Sequence, residues 1–310
     1  VASGSVIFFG SAAVSIPFLG ELSRQYPVSL VVTQPDATGG RHCRILETPV
    51  KCFAQETGLP CIQPENLSDP HLQEQIRDQT PLIGVVVAYG KWIPRSIHHL
   101  PLLHTVNVHF SLLPLFRGAA PVQRAIESGA GKTGLSIFEI SARMDGGDIW
   151  AQKEVVIEPE ETSERLLTRM SILGAPFLNQ TLEAIIGGRV AKIPQDETQA
   201  TLAPALQKCE GMIDWKLPAR IIYNHFRAFQ PWPGTCFSIP GKVIQATRII
   251  PTSETHQSSP GTILDLKSEG LKIACGDGSV LNLQEIKPPG KKAMRPFDFC
   301  LGNCFPHILN

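Results

Sequence analysis

The stretch SVIFFGSAAVSIPFLGEL, residues 5–22, opens with a short apolar run and turns at Gly10. It then continues with Val14, Phe18 and Leu22 at helical spacing, in spite of Pro17. That is strand, turn and helix, the opening unit of a doubly wound α/β fold. Working outward, VSLVVTQP (28–35) reads as the next strand, ended by proline. TPVKCFAQETGLPCI (48–62) gives a helix stopped at Gly58 and a short strand after Pro60. PLIGVVVAYG (81–90) is apolar without alternation, as expected of a strand covered on both faces of a parallel sheet. HTVNVHF (104–110) is another strand. PVQRAIESG (121–129) is a helix with Pro at its start and Gly at its end, and GLSIFEI (134–140) is the strand after it. The expected class is α/β, a Rossmann-like, doubly wound, mostly parallel sheet.

EETSERLLTRMSILGAPFLNQTLEAIIGG (160–188) is one long helix by its apolar spacing, and Gly187–Gly188 closes the first domain, 1–188. Residues 189–206 show no period and hold two prolines, which suits a linker crossing between domains. Beyond it the texture changes. After a helical PARIIYNHFRAF (218–229), short strands alternate with Gly/Pro turns: GTCFSI, KVIQATRII, GTILDL, GLKIACG and SVLNLQEI. Strands at this spacing predict a small OB-like β-barrel over 207–310.

Bulk properties narrow the function. The 310-residue chain has zero net charge, 43% hydrophobic and 18% charged residues, which excludes disorder and a general polyanion binder. Charge is uneven, however: residues 208–310 carry 12 Lys and Arg against 8 Asp and Glu, a mild basic excess that fits a nucleic-acid contact. The eight cysteines form no Cys-x-x-Cys pair and read as reduced thiols of a cytoplasmic protein. Cys300, Cys304 and His307 fall short of a tetrahedral zinc set, so no metal is expected. No apolar run reaches membrane-spanning length, and VIFFG lacks the basic flank of a signal peptide. The chain starts at Val1 rather than Met, which leaves room for a few preceding residues.

The sheet invites two tests for phosphate binding, and both fail. After Gly10 the loop reads SAAVS rather than Gly-x-Gly-x-x-Gly, and AGKTG (130–134) has no upstream strand and only one glycine just before its lysine. NVHFSLLPLFRGAAP (107–121) is more informative. Asn107 and His109 are two apart, so on a strand they face one way. Either this is a polar strand end with a satisfied core histidine, or an amide and an imidazole address one ligand at the carboxyl end of the sheet. One strand later SARMDGGD (141–148) brings two carboxylates around paired glycines, expected at the same sheet edge, with a solvated surface turn as the alternative. Amide, imidazole and carboxylate together suit acyl-type transfer: two can hold an oxyanion and the third can orient and charge the imidazole. With no Gly-x-Ser-x-Gly elbow, direct transfer between two substrates fits better than a covalent acyl-enzyme.

Asn107-x-His109, Ser111-Leu112-Leu113-Pro114, and Asp145 after the histidine resemble the 10-formyltetrahydrofolate-dependent formyltransferases. TQPD (33–36), VVVAYG (85–90), MDGGDI (144–149), QDETxAT (195–201), IDW (213–215), RAFQPWPG (227–234) and GDGSVLNL…PPGKKAM (277–294) extend the similarity over nearly the whole chain. RAFQPWPG and GKKAM select the tRNA-directed, bacterial-type methionyl-tRNA branch. The resemblance implies that Asn107, His109 and Asp145 are catalytic. It implies that Ser111, Leu112, Leu113 and Pro114, with the backbone of Val87, Ala88, Tyr89 and Gly90 and the 141–145 loop, border 10-formyltetrahydrofolate. It also implies methionyl initiator tRNA as partner, no membrane, and a monomer.

The family's basic loop after TQPD falls at 37–51, with Arg41 and Arg44 as tRNA contacts. Lys208, Lys242, Lys287, Lys291 and Lys292 are the further phosphate candidates. The sequence departs from the family where Cys43 and Arg44 replace the usual Lys-Lys, and where Phe110 stands in place of a small residue at the folate entrance. The tail 297–310 does not match and carries no assigned role. Two other readings stay open: a sister enzyme formylating a nucleotide-linked amino sugar or other small amine, and an RNA-binding protein whose α/β domain has lost activity.

Overall fold

The computed structural model of the chain describes residues 4–39, 44–103 and 105–309. It divides into two compact units that are not contiguous in sequence. The first takes residues up to 121, 132–156 and 166–204; the second takes 122–131, 157–165 and 205 onward.

In chain order the first half runs β1 (Val6–Gly10), α1 (Ile16–Gln25), β2 (Val28–Val32), β3 (Ala37–Gly39), β4 (Arg44–Leu46), α2 (Pro49–Thr57), β5 (Cys61–Ile62) and α3 (Pro70–Asp78). Then come β6 (Ile83–Val87), α4 (Arg95–His98), β7 (Thr105–His109), α5 (Pro121–Glu127), β8 (Lys132–Glu139), β9 (Ile149–Val156) and α6 (Ser163–Ile186). Local chemistry sets several of the boundaries. Thr48 caps α2 by accepting from the Lys51 amide, Pro49 starts it, and Gly58 at φ 71° ends it in the left-handed region. Asp69 and Pro70 do the same at the start of α3. That helix escaped the sequence reading because only Leu72 and Ile76 are buried in it. The loop expected over 37–51 opens with the short antiparallel pair β3–β4.

The main sheet has the order β5-β2-β1-β6-β7-β8-β9. Pairing is parallel from β5 through β7, while β8 is antiparallel to both neighbours. β1 and β6 are buried along their whole length, as their unbroken apolar runs predict. The strand order reverses between β1 and β6, and the carboxyl ends there are tied together: Ser15 Oγ donates to the Val87 carbonyl at 2.6 Å and Ser11 Oγ to the Tyr89 carbonyl at 3.1 Å. The aperiodic stretch 189–206, read as a linker, forms ladder rungs within the first unit as far as Ala203. Ile193 and Ile149 exchange both backbone hydrogen bonds at 2.8 Å, and the Ala203 amide donates to Arg117 O at 2.7 Å.

The second unit contains α7 (Ala219–Ala228), β10 (Thr235–Ile239), β11 (Lys242–Thr255), β12 (Ile263–Lys267), β13 (Gly270–Ala274), β14 (Ser279–Lys287) and α8 (Pro296–Phe299). Its five strands pair antiparallel in the order β10-β11-β14-β13-β12, the OB-like sheet expected. β11 is 14 residues long and shifts register at three places along β14. Such bulges bend a strand and let a small sheet curl. The core gathers Trp215, Phe226, Phe237, Ile244, Leu281 and Leu283. The unassigned tail has a structural job here. Phe305 packs against Phe237 and Phe299, and Leu309 is buried, its amide donating to Gly261 O at 2.9 Å. With Ile263 N donating to His307 O at 3.0 Å, the tail pairs beside β12 and shields an otherwise open strand edge. Among the described residues no helix is long and apolar enough to cross a membrane.

Candidate active site

Asn107 and His109 lie on β7 with their side chains on one face, and Val108 and Phe110 on the other. Phe110 is buried and meets Phe18 of α1 edge-on, ring centroids 6.1 Å apart. Its bulk therefore fills the helix-covered core on the face opposite His109. Asn107 is half-buried, and its amide takes no hydrogen-bond partner from the described residues.

His109 is 6% exposed, with its ring edge-on to Phe138. Its Nε2 donates to the Phe116 carbonyl at 2.8 Å, which leaves Nδ1 facing Asp145 Oδ2 at 3.7 Å. That separation is too long for a hydrogen bond but close enough for the carboxylate's field to act in a dry site. Burial pushes the imidazole below its ordinary 6.5, while Asp145 and the Phe116 carbonyl pull the other way without cancelling it. At pH 7 the ring is neutral and poised to accept a proton on Nδ1. The kcat of the protein should therefore fall on acidification along a limb centred below 6.5. A rate profile from pH 5 to 8 checks this, and a limb above 7 would remove His109 from the proton-accepting role.

Asp145 arrives by a route the sequence did not foretell. Because β8 runs antiparallel to β7, its end at Glu139 lies opposite Val106, near the amino end of β7. The 140–148 connection starts at that edge rather than the carboxyl edge, and folds back until Asp145 meets His109. Its Oδ2 accepts from the Gly118 amide at 2.8 Å, and its backbone sits at φ 49°. A cavity of about 330 Å³ opens along the same connection, lined by Ser141, Arg143, Gly146, Gly147, Asp148 and Lys192 among others.

The remaining expected positions divide. Ser111 is fully buried and donates to the Leu115 carbonyl at 2.6 Å, so its hydroxyl shapes its own loop. Leu113 is buried too, its amide donating to Ser136 Oγ at 3.0 Å, while Leu112 and Pro114 are half-buried. Val87 and Tyr89 point into the core, and burial raises the Tyr89 phenol to about 12. Their backbone, with half-buried Ala88 at φ 44° and Gly90 at φ 80°, forms the strand-end turn. Arg41 lies outside the described residues, and Arg44 opens β4. Lys208, Lys242, Lys287, Lys291 and Lys292 are all exposed in the second unit. Lys242 is held by Asn303 at 2.7 Å over the Phe299 ring; the other four meet no carboxylate among the described residues. No group of side chains that could hold a metal ion occurs among the described residues.

Arg117, Gln195, Glu197 and Thr201 lie in stretches that the sequence offers only as family-matching motifs, with no role attached. Arg117 is buried and makes a two-pronged ion pair with Glu197, both contacts 2.9 Å, together with bonds to Gln195 Oε1 at 2.7 and 3.1 Å. The signal was present in the polar run QDET inside a segment with no amphipathic period.

The sequence matches the formyl transferase family over residues 11–182 and the formyl transferase C-terminal domain over 205–303. It is 38% identical over 299 residues to the methionyl-tRNA formyltransferase of Geobacillus thermodenitrificans, covering 96% of this chain and 94% of that one. It is 39% identical over 300 residues to that of Acidobacterium capsulatum, covering 96% of each. Among solved structures, an N-formyltransferase from Helicobacter canadensis in complex with folinic acid and dTDP-3-aminofucose shares the fold. Its TM-score is 0.69 at 16% identity, over 90% of this chain and 98% of that one. HypX from Aquifex aeolicus, in complex with tetrahydrofolic acid, gives a TM-score of 0.64 at 18% identity, over 97% of this chain and 47% of that one. With both halves matched and the relatives covered nearly end to end, the chain belongs to the methionyl-tRNA formyltransferase family.

Proposed function

We propose that this protein transfers the formyl group of 10-formyltetrahydrofolate to the α-amine of methionine on charged initiator tRNA, for translation initiation in the cytoplasm. The observation that carries the reading is the meeting of His109 and Asp145, with the Asn107 amide, which has no partner among the described residues, on the same face, in a chain of this family. The amine attacks the formyl carbon, a C–N bond forms, and the carbonyl oxygen takes up negative charge. Asn107 donates to that oxyanion. The attacking nitrogen gives its proton to His109, and the resulting imidazolium is held between the Phe116 carbonyl and the Asp145 carboxylate while its charge favours the oxyanion. Collapse breaks the C–N bond to N10, and that nitrogen takes up a proton as tetrahydrofolate leaves. Backbone at 87–90 and the 111–114 and 141–145 segments border the donor. Arg41 and Arg44 address the acceptor end of the tRNA, and the exposed lysines of the second unit address its phosphates.

The deciding experiment supplies purified protein with 10-formyltetrahydrofolate and either methionyl initiator tRNA or a nucleotide-linked amino sugar. Formylation of the tRNA alone is expected. Formylation of the sugar alone would replace this reading by the sister activity, and inactivity on both with tight tRNA binding would leave an RNA-binding protein. Phosphate contacts release counterions, so binding of charged tRNA should weaken with salt. Replacing Lys291 and Lys292 together by Ala should weaken tRNA binding and flatten its log–log salt slope by up to about 2 units, at unchanged donor affinity. An unaltered slope would remove both lysines from the tRNA surface.

A further inference from the structure

The segment 195–201 touches both partners of His109 from one side, and nothing in the catalytic reading uses it. Gln195 Nε2 donates to the carbonyls of Asp145 at 2.8 Å and Gly147 at 2.7 Å. Its Oε1 is filled by Arg117, whose guanidinium is anchored in turn on Glu197. Six residues on, Thr201 Oγ1 accepts from the Phe116 amide at 2.8 Å and Thr201 O accepts from the Arg117 amide at 2.8 Å. Phe116 is the residue whose carbonyl takes the His109 Nε2 proton.

Both clamped residues stand in the left-handed region, Asp145 at φ 49° and Phe116 at φ 58°. A non-glycine residue there is strained and persists only where its surroundings fix it. Gly118, which donates to the Asp145 carboxylate, is pressed against the same segment: a Cβ on it would lie 2.6 Å from Ala203 O. Two strained backbone positions on either side of the imidazole are thus fixed by one strap.

We propose that Gln195 and Thr201 are positioning residues for the formyl-transfer site, holding Asp145 and the Phe116 peptide in the arrangement that places the carboxylate and the carbonyl on the two nitrogens of His109. The inference rests on the formyl-transfer reading for its catalytic meaning, but not for its geometry. Arg117 and Glu197 serve it as the charged anchor that orients the Gln195 amide, so that its N–H groups face the 145–147 carbonyls. Among the described charged groups, Asp145 is the one whose field raises the imidazole's affinity for a proton. Letting Asp145 drift therefore lowers that affinity.

The test uses the full chain with isotopically labelled histidine. In Gln195→Ala the NMR titration of His109 should move to lower pH. Its kcat should fall roughly 10- to 100-fold, the scale of a misplacement of about 1 Å, with KM for both substrates within about twofold. Thr201→Val, which deletes the acceptor of the Phe116 amide at nearly constant volume, should lower kcat similarly, and Thr201→Ser should restore it. Unchanged His109 titration and unchanged kcat in Gln195→Ala would overturn the proposal. So would a kcat loss matched by an equal loss of folded protein at unchanged titration, or Thr201→Ser failing alongside Thr201→Val. If Gln195→Ala does not fold, the Thr201 pair decides alone. A shifted titration in a protein that formylates no tRNA would uphold the strap and overturn the function instead.

Discussion

Asn107→Ala is expected to lower kcat about 10²–10³-fold, the usual cost of losing one donor to a developing oxyanion. Its stability should stay within about 1 kcal/mol of the parent, because the half-buried amide takes no partner among the described residues. His109→Ala should cost at least as much activity, since it removes the proton acceptor and the charge that balances the oxyanion. It differs in stability. The Phe116 carbonyl loses its 2.8 Å partner in a half-buried loop, a loss of roughly 1 kcal/mol. Turnover, donor KM and thermal unfolding of both variants separate the two roles. An Asn107→Ala protein with full kcat and lowered stability would mark Asn107 as an ordinary strand-end residue.

Gly147→Ala is expected to disable the site from outside it. A Cβ at 147 would lie 1.7 Å from the Glu139 carbonyl oxygen and 2.9 Å from its carbon, both backbone atoms at the end of β8. No rotamer relieves such a clash, so the connection must move, and it carries Asp145 two residues away. A kcat loss of about 100-fold follows from displacing a catalytic group by an ångström or so. The overpacking itself costs about 1–3 kcal/mol. Gly146→Ala is the milder neighbour: its Cβ would meet Arg143 Cβ at 3.0 Å and Arg117 Nη1 at 3.6 Å, but no backbone atom. Its kcat should fall far less than that of Gly147→Ala. If the two variants behave alike, the fixed geometry of the 140–148 connection is not what places Asp145.

These expectations mix what the sequence discloses with what only the fold supplies. The strand ending in Asn107 and His109 was legible because period-2 spacing and an apolar flank leave few alternatives. Gly58, Gly187 and the prolines marked boundaries for reasons of local backbone chemistry. Direction was not legible. Nothing in GLSIFEI distinguishes a strand running with β7 from one running against it, so the edge from which the 140–148 connection starts was not legible, although Asp145 does reach His109 as expected. The strap was hidden for a related reason: its work is done by backbone groups and a saturated amide, which leave no hydrophobic period. In the second unit strand alternation gave the β elements, yet the tail stayed unread, because pairing over 40 residues of intervening chain depends on partners and not on local pattern.

The interleaving of the two units has a consequence for how the chain is made. Residues 122–131 and 157–165 belong with the second unit: Arg124 pairs with Glu210 at 2.6 Å, and Arg227 donates to the Glu161 carbonyl at 3.2 Å. During synthesis these pieces emerge at least 40 residues before the segment that buries them. At about 5–20 residues per second they wait for seconds, on the order of ten for the earlier piece. The amino-terminal sheet can form meanwhile, but the second unit cannot begin to close until translation passes residue 205, nor finish before Leu309 is added. Vulnerability to misfolding or cleavage on the ribosome is thus concentrated in two short stretches near the middle of the chain, and pausing of translation after residue 165 would prolong it.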